Sequence, residues 1–327
     1  MSNGLAGIEQ PDGSGFSAPS PTPWVGLVGN RAAGRGKAGR KVDQLASALE
    51  DRGLAFRPVW TLDERRILIQ QANTDPACQA LVAAGGDGTV AAVIQEQPRV
   101  PLAVLPAGTE NLFAQHAGLG RNPETIAEAI AACHSRPIDL GQIVGGPRFS
   151  LMTGFGFDGD VVTRHHSARV SGLGQVRPTN RAAYVEPIVR SSFFYRFPPI
   201  QVTIEDDGQH EVLTGTTVFL FNLPRYALGL PFAPSARDDD GELDLIIFKK
   251  PGPFHALRYL WLVFRGLHLG RRGVIHRVVK RISVTVNEAR VPVQIDGDPG
   301  GVLELGQPWT LEVLPRALPL IVPPPGT

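Results

Sequence analysis

Glycine-rich turns follow three short apolar runs in the first third of the chain. They are GNRAAGRGK at 29–37, GGDGT at 85–89 and PAGTENLFA at 106–114. Glycine has no Cβ, so a phosphate can approach the backbone N–H groups of such a turn and the positive end of a following helix. The turns therefore predict a site for a phosphate-bearing ligand such as a nucleotide. The residues expected to contact it are Asn30, Gly34, Gly85, Gly86, Asp87, Gly88, Thr89, Gly108, Thr109 and Asn111.

Asp87 carries the carboxylate of the GGDGT turn. It can orient a ligand hydroxyl or act on a bound magnesium ion through water, and Thr89 can donate to a phosphate oxygen. The plainer alternative is an ordinary strand-to-helix turn in which Asp87 caps the helix. Arg31, Arg35 and Lys37 bring positive charge to the first turn, although basic residues beside a loop are often only solvated.

Acidic residues crowd the segment RDDDGELDLIIF at 237–248, just before an apolar run. Magnesium takes few carboxylates and bridges to phosphates, so this turn suits the same chemistry. A hairpin turn that is merely acidic would have the same composition.

The only two cysteines, Cys78 and Cys133, cannot build a disulfide framework or a Cys-rich zinc site, and a reducing compartment fits their scarcity.

The elements that would position these residues differ between the two halves of the chain. From Trp24 to about residue 110, apolar runs alternate with helix-length segments, which is the pattern of a parallel sheet with crossover helices. After Arg136 the runs are short and separated by turn signals, which is typical of an antiparallel β domain. We therefore expect an α/β N-terminal domain with a parallel sheet and a C-terminal β-sandwich domain.

The expected organisation is a disordered leader at 1–22, an α/β domain at 23–136, a β-rich domain at 137–312 and a tail at 313–327. The leader is rich in Gly, Ser and Pro and lacks the parts of a signal peptide. The tail sequence LPRALPLIV is too proline-rich for a central strand, yet apolar enough to pack back on the first domain. Helices are predicted at 180–193 and 253–267, with Pro187 a kink or stop in the first.

Charge and hydropathy restrict the partners. The 32 Lys and Arg residues nearly balance 31 Asp and Glu residues, which argues against a basic nucleic-acid binder. The most apolar stretch, ALRYLWLVF at 256–264, is too short to span a membrane. We expect a cytoplasmic protein, soluble or at most peripheral at the inner membrane face.

Helix 253–267 and its surrounding Lys and Arg residues suit either a membrane surface or a buried domain helix with a solvated basic rim.

The chain resembles the diacylglycerol kinase family of bacterial lipid kinases, which is related to sphingosine, ceramide and NAD kinases. The resemblance is carried, in order, by GNRAAG, GGDGT, PAGTENLFA, GFGFDGDVV, PFAPSARDDDGELDLIIF and QIDGDPG, and it covers about residues 24–300. It implies an ATP- and magnesium-dependent transfer of the γ-phosphate to a lipid hydroxyl, diacylglycerol-like or sphingoid-like. It also implies that the active site lies in the cleft between the two domains.

The resemblance assigns roles to single residues. GNRAAG and GGDGT would hold ATP, with Thr109 closing the phosphate side. Asp240 would give its carboxylate to a structural magnesium ion, and Arg237 and Glu242 would give their backbone carbonyls. Asp298, the last acid of IDGDPG, would accept the proton of the lipid hydroxyl, at a position where the family usually has glutamate.

Asp158 of GFGFDGD corresponds to an acid that faces the cleft in relatives. It would order Asp298 or contact the lipid head group, unless it is a plain turn carboxylate at a strand end. His165 and His166 follow it and would contact substrate or belong to an exposed loop.

Several positions depart from the family pattern. The first motif reads Asn-Arg instead of Asn-Pro, and Ala91 and Ala92 lie where relatives often carry Asn and Glu, so Glu110 is one candidate replacement. The shorter side chain of Asp298 matters because a misplacement of an ångström or so can cost about a hundredfold in rate. The alternatives are therefore an NAD kinase-like enzyme and a noncatalytic relative that binds nucleotide or lipid. The sequence also leaves a homodimer open.

Overall fold

The computed structural model describes residues 22–29, 37–169, 181–206 and 209–323. Two of the predicted nucleotide contacts, Asn30 and Gly34, lie outside the described residues, as do residues 1–21 of the expected leader.

The N-terminal part is built on a parallel sheet. Its strands β1 (Trp24–Gly29), β2 (Ala55–Val59), β3 (Cys78–Gly85) and β4 (Leu102–Pro106) lie in the order β2–β1–β3–β4. The helices of this part are α1 (Lys37–Glu50), α2 (Leu62–Thr74), α3 (Asp87–Gln95), α4 (Leu112–His116) and α5 (Pro123–Ala131). Strands β1 and β4 are buried along their whole length, and β3 at every residue except Gln79, because apolar side chains on both faces of a parallel sheet are covered.

The C-terminal part is dominated by antiparallel strands. They are β5 (Ser135–Ile143), β6 (Arg148–Phe149), β7 (Met152–Gly156), β8 (Ile200–Asp206), β9 (Gln209–Gly215), β10 (Thr217–Phe221), β11 (Leu243–Phe248), β12 (Val274–Val279), β13 (Arg281–Thr285), β14 (Val291–Ile295), β15 (Asp298–Leu303) and β16 (Trp309–Ile321). The helices are α6 (Phe157–Arg169), a short 3₁₀ helix (Arg181–Tyr184), α7 (Val185–Phe194) and α8 (Pro253–Phe264).

Two sheets enclose the core of this second part. One sheet has the order β12–β11–β10–β7–β14–β15, and the other, which includes β16, β13, β8 and β9, continues the parallel sheet. Strand β10 shows how the layers are arranged, since Val218 and Leu220 point into the sandwich core while Phe219 and Phe221 pack into the core that includes the α/β domain. The predicted fold class, an α/β domain joined to a β sandwich, is confirmed.

Strand β16 joins the two parts, and here a prediction about the tail is wrong. The proline-rich segment was expected to be unsuited to a central strand, yet β16 pairs with β13 and β5 and in parallel with β4, where Leu320 faces Leu102. The register with β5 shifts between Leu314 and Leu318. Pro315 lies inside this irregularity, where the ladder is already interrupted and its missing N–H costs little.

The helices beside the cleft also differ from expectation. The alternative of a strand-end turn at Asp158 is wrong, because Phe157 begins helix α6 and Asp158 lies in its first turn. His165 is buried on this helix with its ring stacked on Tyr184, which corrects the expectation of an exposed loop. Pro187 neither kinks nor ends α7, because it lies in the first turn, where its missing N–H needs no partner.

Candidate active site

The second and third glycine turns touch each other through their backbones. Gly85 and Pro106 are paired at the ends of β3 and β4, and the N–H of Ala107 donates to the carbonyl of Gly85 at 2.9 Å. A Cβ added to Gly108 would lie 2.5 Å from the Cα of Gly86, far inside van der Waals contact. Glycine is therefore required at this pair so that the two turns can form one continuous surface.

Two predicted nucleotide contacts brace this surface from behind. The carboxylate of Asp87 accepts the N–H groups of Leu112 at 3.1 Å and Phe113 at 2.9 Å, so it caps helix α4 and not its own helix. Asn111, with φ of 54°, accepts the N–H of Gly108 and donates to the carbonyl of Gly108, both at 2.8 Å. These side chains fix the backbone of the PAGTEN turn against the GGDGT turn.

The side chain of Asp87 is partly buried and therefore partly shielded from water. Burial raises the pKa of this carboxyl above its usual value, the N–H groups of Phe113 and Leu112 lower it, and the nearby charge of Glu110 raises it further. The two donated hydrogen bonds favour the ionised form, which suits a group that holds two backbone amides in place.

A polar cavity lies beside the GGDGT turn. It has a volume of about 440 Å³, and the described part of its wall contains Val28, Gly29, Trp60, Thr61, Leu62, Arg65, Gly86, Gly88, Thr89 and Ala92. The side chain of Thr89 also covers Gly85, because a Cβ at Gly85 would lie 2.1 Å from Thr89 Oγ1. Ala92 presents no polar group to this cavity, whereas Arg65 brings a guanidinium that is paired with Glu96 at 3.1 Å. The sequence analysis missed Trp60 and Arg65, although they flank the carboxyl end of β2.

A second cavity of about 390 Å³ is largely apolar. One end is lined by Gly86, Asp87, Gly88, Thr109, Glu110, Asp158, Asp296, Gly297 and Asp298. The remainder is lined by side chains of α6, α7, α8 and β10, among them Val161, Ile188, Phe219, Phe232, Phe248 and Leu260. Gly86 and Gly88 line both cavities, so the GGDGT turn separates a polar compartment from an apolar one.

Asp298 faces the glycine turn across the cleft. A Cβ added to Gly88 would lie 3.5 Å from Asp298 Oδ2, so the two domains place this carboxylate next to the turn. Asp298 is exposed to the cleft. Loss of water there raises the pKa of its carboxyl, while the positive charges of His166 and Arg169 lower it. The shorter aspartate therefore reaches the turn without the extra methylene of glutamate.

Asp158 and Asp296 lie deeper than Asp298 in the same acidic end. Burial raises the pKa of Asp158 to about 7, and hydrogen bonds from Gln294 and Tyr226 oppose the shift only in part. Asp158 is therefore an acid that can be either protonated or ionised near neutral pH.

Asp296 has a bracing role that the sequence did not reveal. Its carboxylate accepts the N–H groups of Ser150, Leu151 and Met152 and the hydroxyl of Ser150 at 2.8–3.0 Å. Burial raises its pKa to about 6 against these donors. Asp296 thereby anchors the turn that carries Asp298 to the start of β7.

The acidic segment at 237–242 divides into paired and available carboxylates. Asp238 is buried and bonded to both terminal guanidinium nitrogens of Arg136 at 2.9 and 2.8 Å, with His116 at 3.0 Å. These partners hold the pKa of Asp238 at about 2 even though burial acts in the opposite direction. Asp239 pairs with the guanidinium of Arg237 at 3.0 Å. Among the described residues, Asp240 has no such cationic partner.

Asp240 fits the predicted magnesium loop by its chemistry. Its Oδ1 accepts the N–H of Glu242 at 3.1 Å. Burial raises the pKa of Asp240, and the carboxylates of Asp139 and Asp244 raise it further, so a cation would relieve charge repulsion there. Among the described residues no three His, Cys, Asp or Glu side chains converge as a metal site. Magnesium needs only one or two carboxylates when carbonyls and waters complete its shell, so Asp240 with the carbonyls of Arg237 and Glu242 suits it.

No helix within the described residues has the length and apolar character needed to cross a membrane.

Comparison with known proteins gives two family matches that together cover most of the chain. Residues 25–143 match the diacylglycerol kinase catalytic domain, and residues 155–322 match the YegS C-terminal NAD kinase beta sandwich-like domain. The two matched segments correspond to the two walls of the cleft.

Individual relatives match over much of their own length, and a solved structure has a similar fold. The chain is 31% identical over 236 residues to a diacylglycerol kinase of Bacillus subtilis, covering 68% of this chain and 72% of the relative. It is 27% identical over 310 residues to a diacylglycerol kinase of Mycobacterium tuberculosis, covering 91% and 95%. A crystal structure of a diacylglycerol kinase from Bacillus anthracis superposes with a TM-score of 0.65 at 20% identity, covering 92% and 97% of the two chains.

Proposed function

The chain belongs to the diacylglycerol kinase family and is a lipid kinase, and from that premise we propose that it transfers the γ-phosphate of ATP to the hydroxyl of a diacylglycerol-like lipid. The observation that carries this proposal is the pair of cavities that meet at Gly86 and Gly88, with Asp298 beside their boundary. In this proposal the polar cavity takes the nucleotide and the apolar cavity takes the lipid chain. The reacting hydroxyl then lies between the glycine turn and the carboxylate.

The glycine turn contributes alignment. Its backbone is held by Asp87 and Asn111, so its N–H groups are preorganised toward phosphate oxygens before any ligand arrives. Phosphoryl transfer needs little covalent chemistry from the protein, and most of the rate comes from such positioning and from neutralising charge. Magnesium bound with the nucleotide would supply part of that neutralisation.

Asp298 contributes the base. Its carboxylate accepts the proton of the lipid hydroxyl as the oxygen attacks phosphorus, and the raised pKa makes it a stronger base than an aspartate of ordinary pKa. Asp158 lies at the same end of the cavity, and in its protonated form it can donate a hydrogen bond to an ester or hydroxyl oxygen of the lipid head group. The two acids thus have different roles because only one of them is deeply buried.

The apolar wall favours a lipid over NAD as the acceptor. Phe219, Phe232 and Phe248 line the acceptor cavity and offer nothing to the pyrophosphate of NAD. A sphingoid base remains the second lipid candidate, because its amine would meet Asp158 and Asp298. The names of the relatives from Bacillus subtilis and Mycobacterium tuberculosis support diacylglycerol as the first acceptor to test.

The test is transfer of labelled γ-phosphate from ATP, with magnesium, to diacylglycerol, sphingosine, ceramide and NAD. We expect labelled diacylglycerol with the native chain and a loss of about a hundredfold or more with Asp298→Asn, since the base is removed. Asp51→Asn, an exposed carboxylate change far from the cleft, is the matched control and should leave the rate unchanged. ATP-dependent thermal stabilisation should persist in Asp298→Asn.

Two results would overturn the proposal. Labelled NAD in place of labelled lipid would show an NAD kinase. ATP stabilisation without any labelled acceptor would show a noncatalytic relative.

A further inference from the structure

Helices α7 and α8 pack against each other and present apolar side chains outward. On α7 the exposed residues Val185, Val189 and Phe193 follow a four-residue spacing, which places them on one face. On α8 the exposed residues are Phe254, Leu257, Trp261 and Phe264, again on one face. We call this set, together with Phe194, the α7–α8 patch.

Exposed aromatic side chains are concentrated in this patch. Phe194 is 72% exposed, Phe254 75%, Phe264 69% and Trp261 56%. Every exposed Phe or Trp of the described residues lies on α7 or α8. Folded proteins rarely leave several large aromatic side chains together in water, so the patch points to an apolar partner.

The inner faces of the same helices form the wall of the apolar cavity. Ile188 of α7 and Ala256, Leu260 and Val263 of α8 line the cavity, while Val189 and Trp261 face outward. One helix layer, about 10 Å thick, therefore separates the patch from the place proposed for the lipid chain. Because the same helices carry the patch and line the apolar cavity, the patch lies next to the proposed lipid site and not next to the nucleotide site.

The charge around the patch identifies the kind of surface it meets. The segment from Lys249 to Arg277 has seven Lys and Arg residues and no Asp or Glu, in a chain whose net charge is only +1. The basic side chains Lys249, Arg258 and Arg265 are exposed, and the guanidinium of Arg265 lies 5.8 Å from the ring of Trp261. Aromatic residues flanked by cations are what an anionic lipid surface binds, since the rings enter the interface and the cations meet lipid phosphates.

We propose that the α7–α8 patch docks the enzyme onto an anionic phospholipid membrane, with Phe254, Trp261 and Phe264 entering the interface. The inference rests on the proposed function, because the docked face delivers the lipid to the cavity behind it. Helix α8 buries one face and exposes another, so it combines features of the two alternatives given for residues 253–267.

The test is flotation of the full chain with phosphatidylcholine vesicles, with and without phosphatidylglycerol. We expect binding to the vesicles that contain phosphatidylglycerol, weakened by salt. The triple change Phe254→Ser, Trp261→Ser and Phe264→Ser should weaken that binding by about a hundredfold or more. The matched control is Ile67→Ser, Val212→Ser and Leu305→Ser, which removes three exposed apolar side chains elsewhere.

A second set of variants tests the charge. Changing Lys249, Arg258 and Arg265 to glutamine should weaken binding to anionic vesicles by about a hundredfold and leave binding to phosphatidylcholine unchanged. Changing the exposed Arg99, Arg121 and Arg290 to glutamine is the control, with at most a severalfold effect. None of the changed residues lines either cavity.

A water-soluble short-chain diacylglycerol separates this inference from the proposed function. The triple serine variant should phosphorylate it at the native rate while losing activity on vesicle-borne lipid. Native vesicle binding by the serine variant would overturn the docking proposal, as would a native dimer that this variant dissociates, since a second copy would then cover the patch. Failure of the native chain to phosphorylate even the soluble lipid would instead refute the proposed function.

Discussion

On the α/β side of the cleft, Gly86, Gly88 and Gly108 present backbone, and the polar side chains behind them are occupied in holding that backbone. On the β-domain side, Asp158 and Asp298 present carboxylates whose pKa values are raised by loss of water. One wall therefore acts through the positions of its N–H groups, and the other through the ionisation of its side chains.

This difference determines how each wall should respond to mutation. The close approach of Gly86 and Gly108 leaves no room for an added Cβ at Gly108, so substitution there should affect fold and nucleotide binding together. A titratable surface tolerates an isosteric amide, so substitutions there should change pH dependence or rate and leave the fold intact.

Gly108→Ala should have the largest effect. The added Cβ would lie 2.5 Å from the Cα of Gly86, so the two turns must separate. We expect destabilisation of about 3 kcal/mol or more and loss of ATP-dependent thermal stabilisation. Gly120→Ala is the control, because a Cβ at Gly120 meets nothing within 4 Å and its stability should change little. Normal ATP binding by Gly108→Ala would mean that the close contact of the turns is unnecessary.

Asp158→Asn should stabilise the protein at alkaline pH. The unfolded chain releases this proton near the usual pKa of 3.8, whereas the folded protein keeps it until about pH 7, so native stability falls as pH rises through this range. The free energy of unfolding of the native chain relative to Asp158→Asn should fall by about 3 kcal/mol between about pH 5 and about pH 8. Urea unfolding at both pH values measures this change.

Asp51→Asn provides the comparison for that titration. Asp51 is an exposed carboxylate, so this change controls for the substitution of Asp by Asn itself. A parallel pH dependence in native protein and Asp158→Asn would mean that Asp158 does not titrate near neutrality. The β-domain wall would then lack the carboxyl group, titrating near neutral pH, by which it differs from the α/β wall.

The contrast between the walls also explains how far the sequence could predict the structure. Glycine turns and the strands before them are local signals, so the parallel sheet and its phosphate-facing edge could be expected from residues such as Gly86 and Gly108. The bracing contact of Asp87 with Phe113 joins residues 26 positions apart and depends on how α4 packs. No local pattern reports such a contact.

The β half was less predictable for related reasons. Helix α6 mixes Asp, Gly, Val and His without an apolar stripe, so GFGFDGDVV resembled a turn. The proline-rich strand β16 is tolerated only because its register shifts between Leu314 and Leu318, and that shift depends on β5. Exposure of Trp261 beside a cavity wall likewise depends on how α8 packs.

Asp87→Asn should have an intermediate effect on the α/β wall. An amide offers one acceptor where the carboxylate offers two, so one of the N–H groups of Leu112 and Phe113 loses its partner. We expect destabilisation of about 2 kcal/mol and weaker ATP binding, measured by urea unfolding and ATP titration. Asp63→Asn, in the first turn of α2, is the control and should cost less than about 1 kcal/mol. If ATP affinity is unchanged, the brace does not position the nucleotide turn.

Asp298→Glu should have the smallest effect and tests the fit between the walls. Asp298 Oδ2 already lies 3.5 Å from the position that a Cβ on Gly88 would take. An extra methylene would push the carboxylate into the space left for the hydroxyl and phosphate. We expect kcat to fall about tenfold, equivalent to about 1.4 kcal/mol in the barrier, with unchanged ATP binding and stability. A faster Asp298→Glu enzyme would contradict this fit. It would mean that the two walls lie farther apart during the reaction than the 3.5 Å distance at Gly88 implies, so that the aspartate carboxylate does not fully reach the lipid hydroxyl.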